Sequence, residues 1–187
     1  MTKPKQKSTS SWTDIKTRLA SFDRSGLLDL VHDLYTLSKD NQVFLHTRFG
    51  DSDDVLRPYK NTLQRWISPD VLRNQDVSVS KAKRAISAYR KAIGDSAGLA
   101  ELMVFYCERA THFSLDFGMD EEGYLDALIR MFAQALRVLQ HLPAADRESL
   151  MVRLNWVRAS CQDFGYGVGD TMDDLYCEHT ESDSDVP

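Results

Sequence analysis

The stretch Ala97–Phe117, AGLAELMVFYCERATHFSLDF, decides the fold. Leu99, Leu102, Met103, Tyr106, Ala110, Phe113 and Phe117 recur at three- and four-residue steps, the period of an α-helix, while Phe105 and Leu115 add a second apolar side. A helix that is apolar on more than one side must be covered on more than one side, so 97–117 is expected at the centre of a bundle. The Gly94-Asp95-Ser96 turn leads into it and Gly118 stops it.

Working outward toward the C-terminus, Asp120 is the expected N-cap of a helix carrying Leu125, Leu128, Phe132, Ala135, Leu136 and Leu139, which Pro143 breaks. Leu150, Leu154, Val157, Cys161 and Phe164 then mark another helix. The Gly165-Tyr166-Gly167-Val168-Gly169 turn separates it from a last short helix with Met172 and Leu175. Toward the N-terminus, Ser78 or Ser80 caps a basic helix reaching about Ile93, behind the polar connector 69–78. Val55, Leu56, Tyr59, Leu63, Trp66 and Ile67 form the buried face of a helix expected to start at Asp53-Asp54 and end at Ser68-Pro69. Three more helices are expected before it. One spans about 13–21; the second has Asp23 as N-cap, with Phe22 and Leu27 as a hydrophobic staple; a third, short one holds Val43, Phe44 and Phe49. No alternating run of strand type competes, and short connections favour antiparallel neighbours. The expectation is an all-α chain: one domain over 12–177 of about eight to nine helices, antiparallel hairpins in a bundle or short solenoid-like array. Disordered tails of opposite sign, basic 1–11 and acidic 178–187, flank it.

A chain of 187 residues, 42% apolar and 27% charged, has ordinary globular composition. No apolar run approaches the roughly 18 residues of a spanning helix, and no apolar stretch follows Lys3, Lys5 and Lys7 as a signal peptide requires. Three cysteines, Cys107, Cys161 and Cys177, are odd in number and lack zinc-ligand spacing. A reducing cytoplasm is the expected compartment, with no cofactor.

The net charge of −5 conceals a sharp partition. Residues 1–94 carry 17 Lys/Arg against 10 Asp, while 95–187 carry 6 Arg against 18 Asp/Glu. Every Lys lies at or before Lys91 and every Glu at or after Glu101. Clustered charge of this kind acts on partners through its long-range potential. The basic helix concentrates it: Lys81, Lys83, Arg84, Arg90 and Lys91 surround a narrow Ala82/Ile86/Tyr89 seam. These five could contact phosphates, could be an ordinary solvated face, or could meet the acidic half of this chain or of a second copy.

Glu108, His112 and Asp116 recur at four-residue steps, a spacing that could hold a divalent cation or pair a base with an orienting acid, although such rows also arise as plain helix surface. Asp116 opposes the helix dipole, and Asp120, Glu121 and Glu122 follow it, so this corner is strongly acidic. Cys107 lies five residues from His112, around the helix from it, so the two do not form a nucleophile and base. The glycine-rich turn 165–169 follows a helix rather than a strand and lacks a Lys-Ser/Thr, so it is a helix stop and not a phosphate loop.

Ser78-Val79-Ser80-Lys81-Ala82-Lys83 with Ile86-Ser87, then Leu102-Met103, Tyr106-x-Glu108, Phe113, Gly118-x-Asp120-Glu121, Tyr124 and Phe164-Gly165-Tyr166-Gly167 together resemble a family of bacterial helical proteins known only as a domain of unknown function. The resemblance covers about 13–177. It implies an all-helical cytoplasmic domain and brings no activity or cofactor. Met119 and Tyr166 stand where that pattern leads us to expect Asp and Trp. If the helices pair as hairpins, Glu108, Asp120, Tyr124, Tyr166 and Asp170 would line one groove. Three function classes follow: a non-enzymatic interaction module binding a protein partner or a second copy; a nucleic-acid-binding protein using 1–11 and 80–91; and a metal-dependent enzyme around Glu108 and His112.

Overall fold

The computed structural model describes residues 11–49 and 55–181, and every regular element among them is helical. Nine α-helices are present among the described residues: α1 (Trp12–Leu19), α2 (Arg24–Leu37), α3 (Lys39–Phe49), α4 (Arg57–Ile67), α5 (Val79–Ala92), α6 (Ser96–Phe117), α7 (Glu122–Leu139), α8 (Ala144–Ser160) and α9 (Val168–Glu181). By its contacts the chain falls into two compact units, Met1–His46 and Thr47–Pro187, with the division inside α3.

In the first unit, local capping sets the helix starts. Ser11 Oγ accepts from the Asp14 N–H at 3.3 Å while Asp14 Oδ2 accepts from the Ser11 N–H at 2.9 Å, a reciprocal capping box that opens α1. Ser11, expected in the disordered tail, is therefore part of the helix start; residues 1–10 lie outside the described residues. Asp23 caps α2 as expected, its carboxylate accepting from the Gly26 N–H at 2.8 Å. Neither α1 nor α2 contains a buried residue, and the apolar row Phe22, Leu27, Val31 and Leu34 stays 40–48% exposed.

The second unit is a bundle built on α6. Leu102, Val104, Tyr106, Cys107 and Ala110 are fully buried, so α6 is covered around most of its circumference, by α4, α5, α7 and α8. Each large apolar side chain removed from water there contributes on the order of 2–3 kcal/mol. The exceptions are at its C-terminal end, where Leu115 and Phe117 are about half exposed. Asp95 starts α6 by accepting from the Gly98 N–H at 2.7 Å, and Gly118 ends it at φ 67°, the left-handed conformation that favours glycine.

Directions follow from the cross-helix pairs. The Ser78 N–H bonds the Trp66 carbonyl while Tyr59 meets Tyr89 edge-on at 5.3 Å, so α4 and α5 are an antiparallel hairpin. Arg153 reaches Glu101 and Glu108 while Cys161 reaches Thr111, so α8 runs parallel to α6, with α7 antiparallel to both. Small side chains let these helices approach. Ala82, Ala85 and Ala92 line the inner face of α5, and Gly98 faces Tyr89 so closely that an added Cβ would lie 2.0 Å from its hydroxyl.

Three boundaries differ from expectation. The cap of α7 is Glu121, not Asp120, and its side chain makes no capping bond. The last helix is 14 residues long rather than short, and it takes up 178–181 of the expected acidic tail, since Met172 is fully buried and anchors it. The connector 69–78 contains a 3-10 turn, Val71–Arg73, capped by Asp70. The expected helix start at Asp53-Asp54 lies outside the described residues.

Candidate functional site

Helix α5 turns Ala82, Ala85, Ile86, Tyr89 and Ala92 inward, which forces its cations outward. Lys81, Arg84, Arg90 and Lys91 are exposed and Lys83 is half-buried. On a helical period Ser80, Arg84, Ser87 and Lys91 form the central outer stripe; Lys83 and Arg90 flank it on one side, Lys81 and Ala88 on the other. From Lys81 to Lys91 the charges span about 15 Å of helix axis. The sequence of α5 contains no carboxylate.

Most cations elsewhere in this unit are bonded to an acceptor, although the buried Nε of Arg109 has no hydrogen-bond partner. Lys60 pairs with Glu101, Arg73 with Asp70, Arg130 with Asp126, Arg153 with Glu101 and Glu108, and Arg158 with Asp173. Arg48 donates to the Ala92 carbonyl, Arg137 to that of Ala133, and Arg109 lies over Phe105. By contrast, among the described residues no ion pair includes Lys81, Lys83, Arg84, Arg90 or Lys91. The basic helix therefore does not turn its charge onto the acidic helices of its own bundle.

Trp66 and Arg65, at the end of α4, extend this surface. Lys81 Nζ sits 3.8 Å from the centre of the Trp66 ring and the Arg65 guanidinium 4.3 Å from it, so one indole holds two cations beside the start of α5. Lys83 has the opposite kind of neighbour. Burial, and the positive charge of Arg130 from α7, hold its ammonium below the usual lysine range. Sequence periodicity located the five cations but missed Trp66, Arg65 and Arg130, because those contacts depend on which helices pair. An aromatic at the end of α4 and a lysine in the first turn of α5, on either side of one connector, were the one available signal.

The other sequence-derived residues have different surroundings. Glu108 receives two hydrogen bonds from Arg153, Nε to Oε1 at 2.8 Å and Nη2 to Oε2 at 2.6 Å. Arg153 also bonds Glu101, which pairs with Lys60 at 2.7 Å, so one ionic chain ties α4, α6 and α8 together. Burial opposes ionisation of Glu101, but the hydrogen bonds and charges of Arg153 and Lys60 outweigh it and hold the carboxyl below its usual range. Tyr124 is buried, its hydroxyl donating to the Ile67 carbonyl at 2.6 Å, which pins the start of α7 to the end of α4. Asp120, Tyr166 and Asp170 are exposed; Tyr166 has φ 61° between its glycine neighbours. The helix directions put these three and Tyr124 at one end of the bundle, with Glu108 about 14 Å back along α6. Among the described residues no hydrogen bond or ion pair joins any two of the five.

In the metal-spaced row, Glu108 is taken by Arg153, His112 packs on Trp156 with ring centres 4.6 Å apart, and Asp116 is exposed. No group of three or more His, Cys, Asp or Glu side chains among the described residues could hold a metal ion. Cys107 and Cys161 are fully buried, and burial raises both thiols, Cys161 to about 11, so neither is a ready thiolate.

A cleft of about 1010 Å³ opens at the opposite end of the bundle, where Tyr89, Asp95, Gly98, Glu101, Asp146 and Arg48 contribute to its wall. Most of its polar groups are spoken for: Tyr89 donates to Asp95, Asp95 caps Gly98, Glu101 sits in the ionic chain and Arg48 bonds Ala92. Among the described residues no helix is long and apolar enough to cross a membrane. No family model, curated protein or solved structure matches the chain.

Proposed function

We propose that this chain is a non-enzymatic interaction module that engages an anionic macromolecule through the outer face of α5. The observation that carries this reading is the contrast in pairing: among the described residues Lys83, Arg84, Arg90 and Lys91 of α5 have neither an acceptor nor a ring partner and Lys81 has the Trp66 ring, while most cations elsewhere in the bundle bond a carboxylate or a carbonyl. Side chains whose charge serves stability are paired or packed, whereas an unpaired row of like charge costs self-repulsion and is relieved by an opposite charge from outside. The buried Ala/Ile/Tyr seam of α5 keeps these cations on its outer half.

Heparin affinity chromatography of the full chain tests the reading. A protein of net charge −5 has no reason to bind a sulfated polyanion through its average charge. Retention on the column, lost on neutralising Lys83, Arg84, Arg90 and Lys91 to Gln, is the expected result. Flow-through of the native chain at low salt would refute it.

A further inference from the structure

We infer that the outer face of α5 binds the phosphate backbone of a nucleic-acid duplex without reading its base sequence. This rests on the reading of α5 as the interaction surface and names its partner. Two anionic partners compete for such a face, an acidic protein surface and a phosphate backbone, and the make-up of α5 separates them. Between its cations the outer face offers only Ser80, Ser87 and Ala88, with no large apolar side chain. An acidic protein docked there would find one aromatic, Trp66, already covered by Lys81 and Arg65, as its apolar contact, and exposed ion pairs on their own contribute only about 0–1 kcal/mol each. A phosphate backbone needs no apolar contact, because releasing its condensed counterions supplies the affinity. Small residues between the cations also let a strand lie close, and the Ser80 and Ser87 hydroxyls share the stripe of Arg84 and Lys91, where they can donate to phosphate oxygens.

The dimensions agree. About 15 Å of charged helix matches roughly four phosphates at the 3.4 Å axial rise of one strand. The positive end of the α5 dipole lies at Lys81, beside the Arg65/Trp66/Lys81 cluster, so the potential is strongest there. The outer face of α5 carries no Asn, Gln, Asp or Glu to read adenine or cytosine edges, so its cations are assigned to phosphates and binding is expected to follow backbone geometry.

The test is fluorescence anisotropy of labelled DNA and RNA duplexes of unrelated sequences, titrated with the full chain, with a poly-glutamate peptide as the acidic-protein probe. The expected result is binding to duplexes of any sequence that weakens on the order of 100-fold between about 50 and 200 mM salt, from a slope near −3 to −4. The DNA and RNA arms decide which duplex is preferred. The combined variant Lys83→Gln, Arg84→Gln, Arg90→Gln, Lys91→Gln loses that binding with unchanged circular dichroism and thermal midpoint. A variant with the same change in net charge, Lys16→Gln, Arg18→Gln, Arg24→Gln, Lys39→Gln, keeps it. Equal loss in both variants would mean that net charge and not α5 is responsible, and would overturn the proposal. Poly-glutamate binding through α5 without duplex binding would overturn it too, while leaving the interaction module standing. Failure with every probe, heparin included, would remove both.

Discussion

Replacing Gly98 by Ala isolates what holds α5 against α6. The added methyl would meet Tyr89 Oη at 2.0 Å, Cζ at 2.7 Å and Asp95 Oδ2 at 3.0 Å. Tyr89 is 2% exposed and lies edge-on to Tyr59, so relief requires its ring to tip toward the cleft it walls, breaking that packing, or α5 and α6 to separate by about 1 Å or more. Overpacking of this kind costs about 1–3 kcal/mol, and displacing Asp95 from the Gly98 N–H loses a cap worth about 1 kcal/mol. Against this stands a helix-propensity gain of about 1 kcal/mol for Ala over Gly. The net expectation is a loss of about 1–3 kcal/mol. Gly123→Ala is the control: it lies in the first turn of α7 with nothing within 4 Å of its added Cβ, and should gain up to about 1 kcal/mol. Urea unfolding followed by circular dichroism and tryptophan fluorescence reads both midpoints at constant slope. Adding Tyr89→Phe to Gly98→Ala removes the nearest atom and should return about 1 kcal/mol. If Gly98→Ala is as stable as Gly123→Ala, the close crossing of α5 and α6 does not depend on the missing Cβ and the packing argument fails.

Arg153→Met strands Glu108 and leaves Glu101 with Lys60 alone, each carboxylate about one-fifth exposed, and should cost about 2 kcal/mol in urea unfolding, whereas Arg130→Met, which breaks an exposed pair within α7, should cost under about 0.5 kcal/mol. Because Glu101 is held below its ordinary value of 4.5, its contribution is present above that pH and is lost as pH falls through the lower, folded value. Stability measured from pH 6 downward should therefore fall, and more shallowly in Glu101→Gln; equal slopes for the two proteins would remove this carboxyl from the account. Two buried tyrosines should differ in calorimetry. Tyr124→Phe loses the bond to the Ile67 carbonyl and about 1–1.5 kcal/mol, while Tyr106→Phe removes a hydroxyl with no protein partner and should be neutral or stabilising.

The helices were legible wherever a local signal acts at the spot where it appears. Asp23 marked its helix start, Gly118 its stop, and the stripe of 97–117 its central burial, because capping and amphipathic periodicity involve neighbours within a few residues. Where two adjacent residues could cap, as at Asp120 and Glu121, the choice follows how α7 docks, with Tyr124 pulled toward Ile67, and no local rule contains that. The tail beyond 177 looked too polar to order, yet Met172 anchors α9 from one side while Asp173 pairs with Arg158 and Asp170 and Asp174 stay exposed. The same limit governs the site. The α5 cations stand out in the sequence, but their lack of partners emerges only once the positions of the other carboxylates are known. Glu108 looked free for chemistry until Arg153, 45 residues later, was seen to hold it.

The ionic chain through Arg153 also orders events in time. The α4–α5 and α6–α7 hairpins join segments adjacent in sequence, so each can form as soon as its own residues are available. The link from Lys60 through Glu101 to Arg153 cannot close until α8 has arrived, long after α4. Contacts made this late are absent from an early folding nucleus. Arg153 should therefore act as a latch: losing it would leave the folding rate nearly unchanged and mainly hasten unfolding, shortening the lifetime of the native bundle.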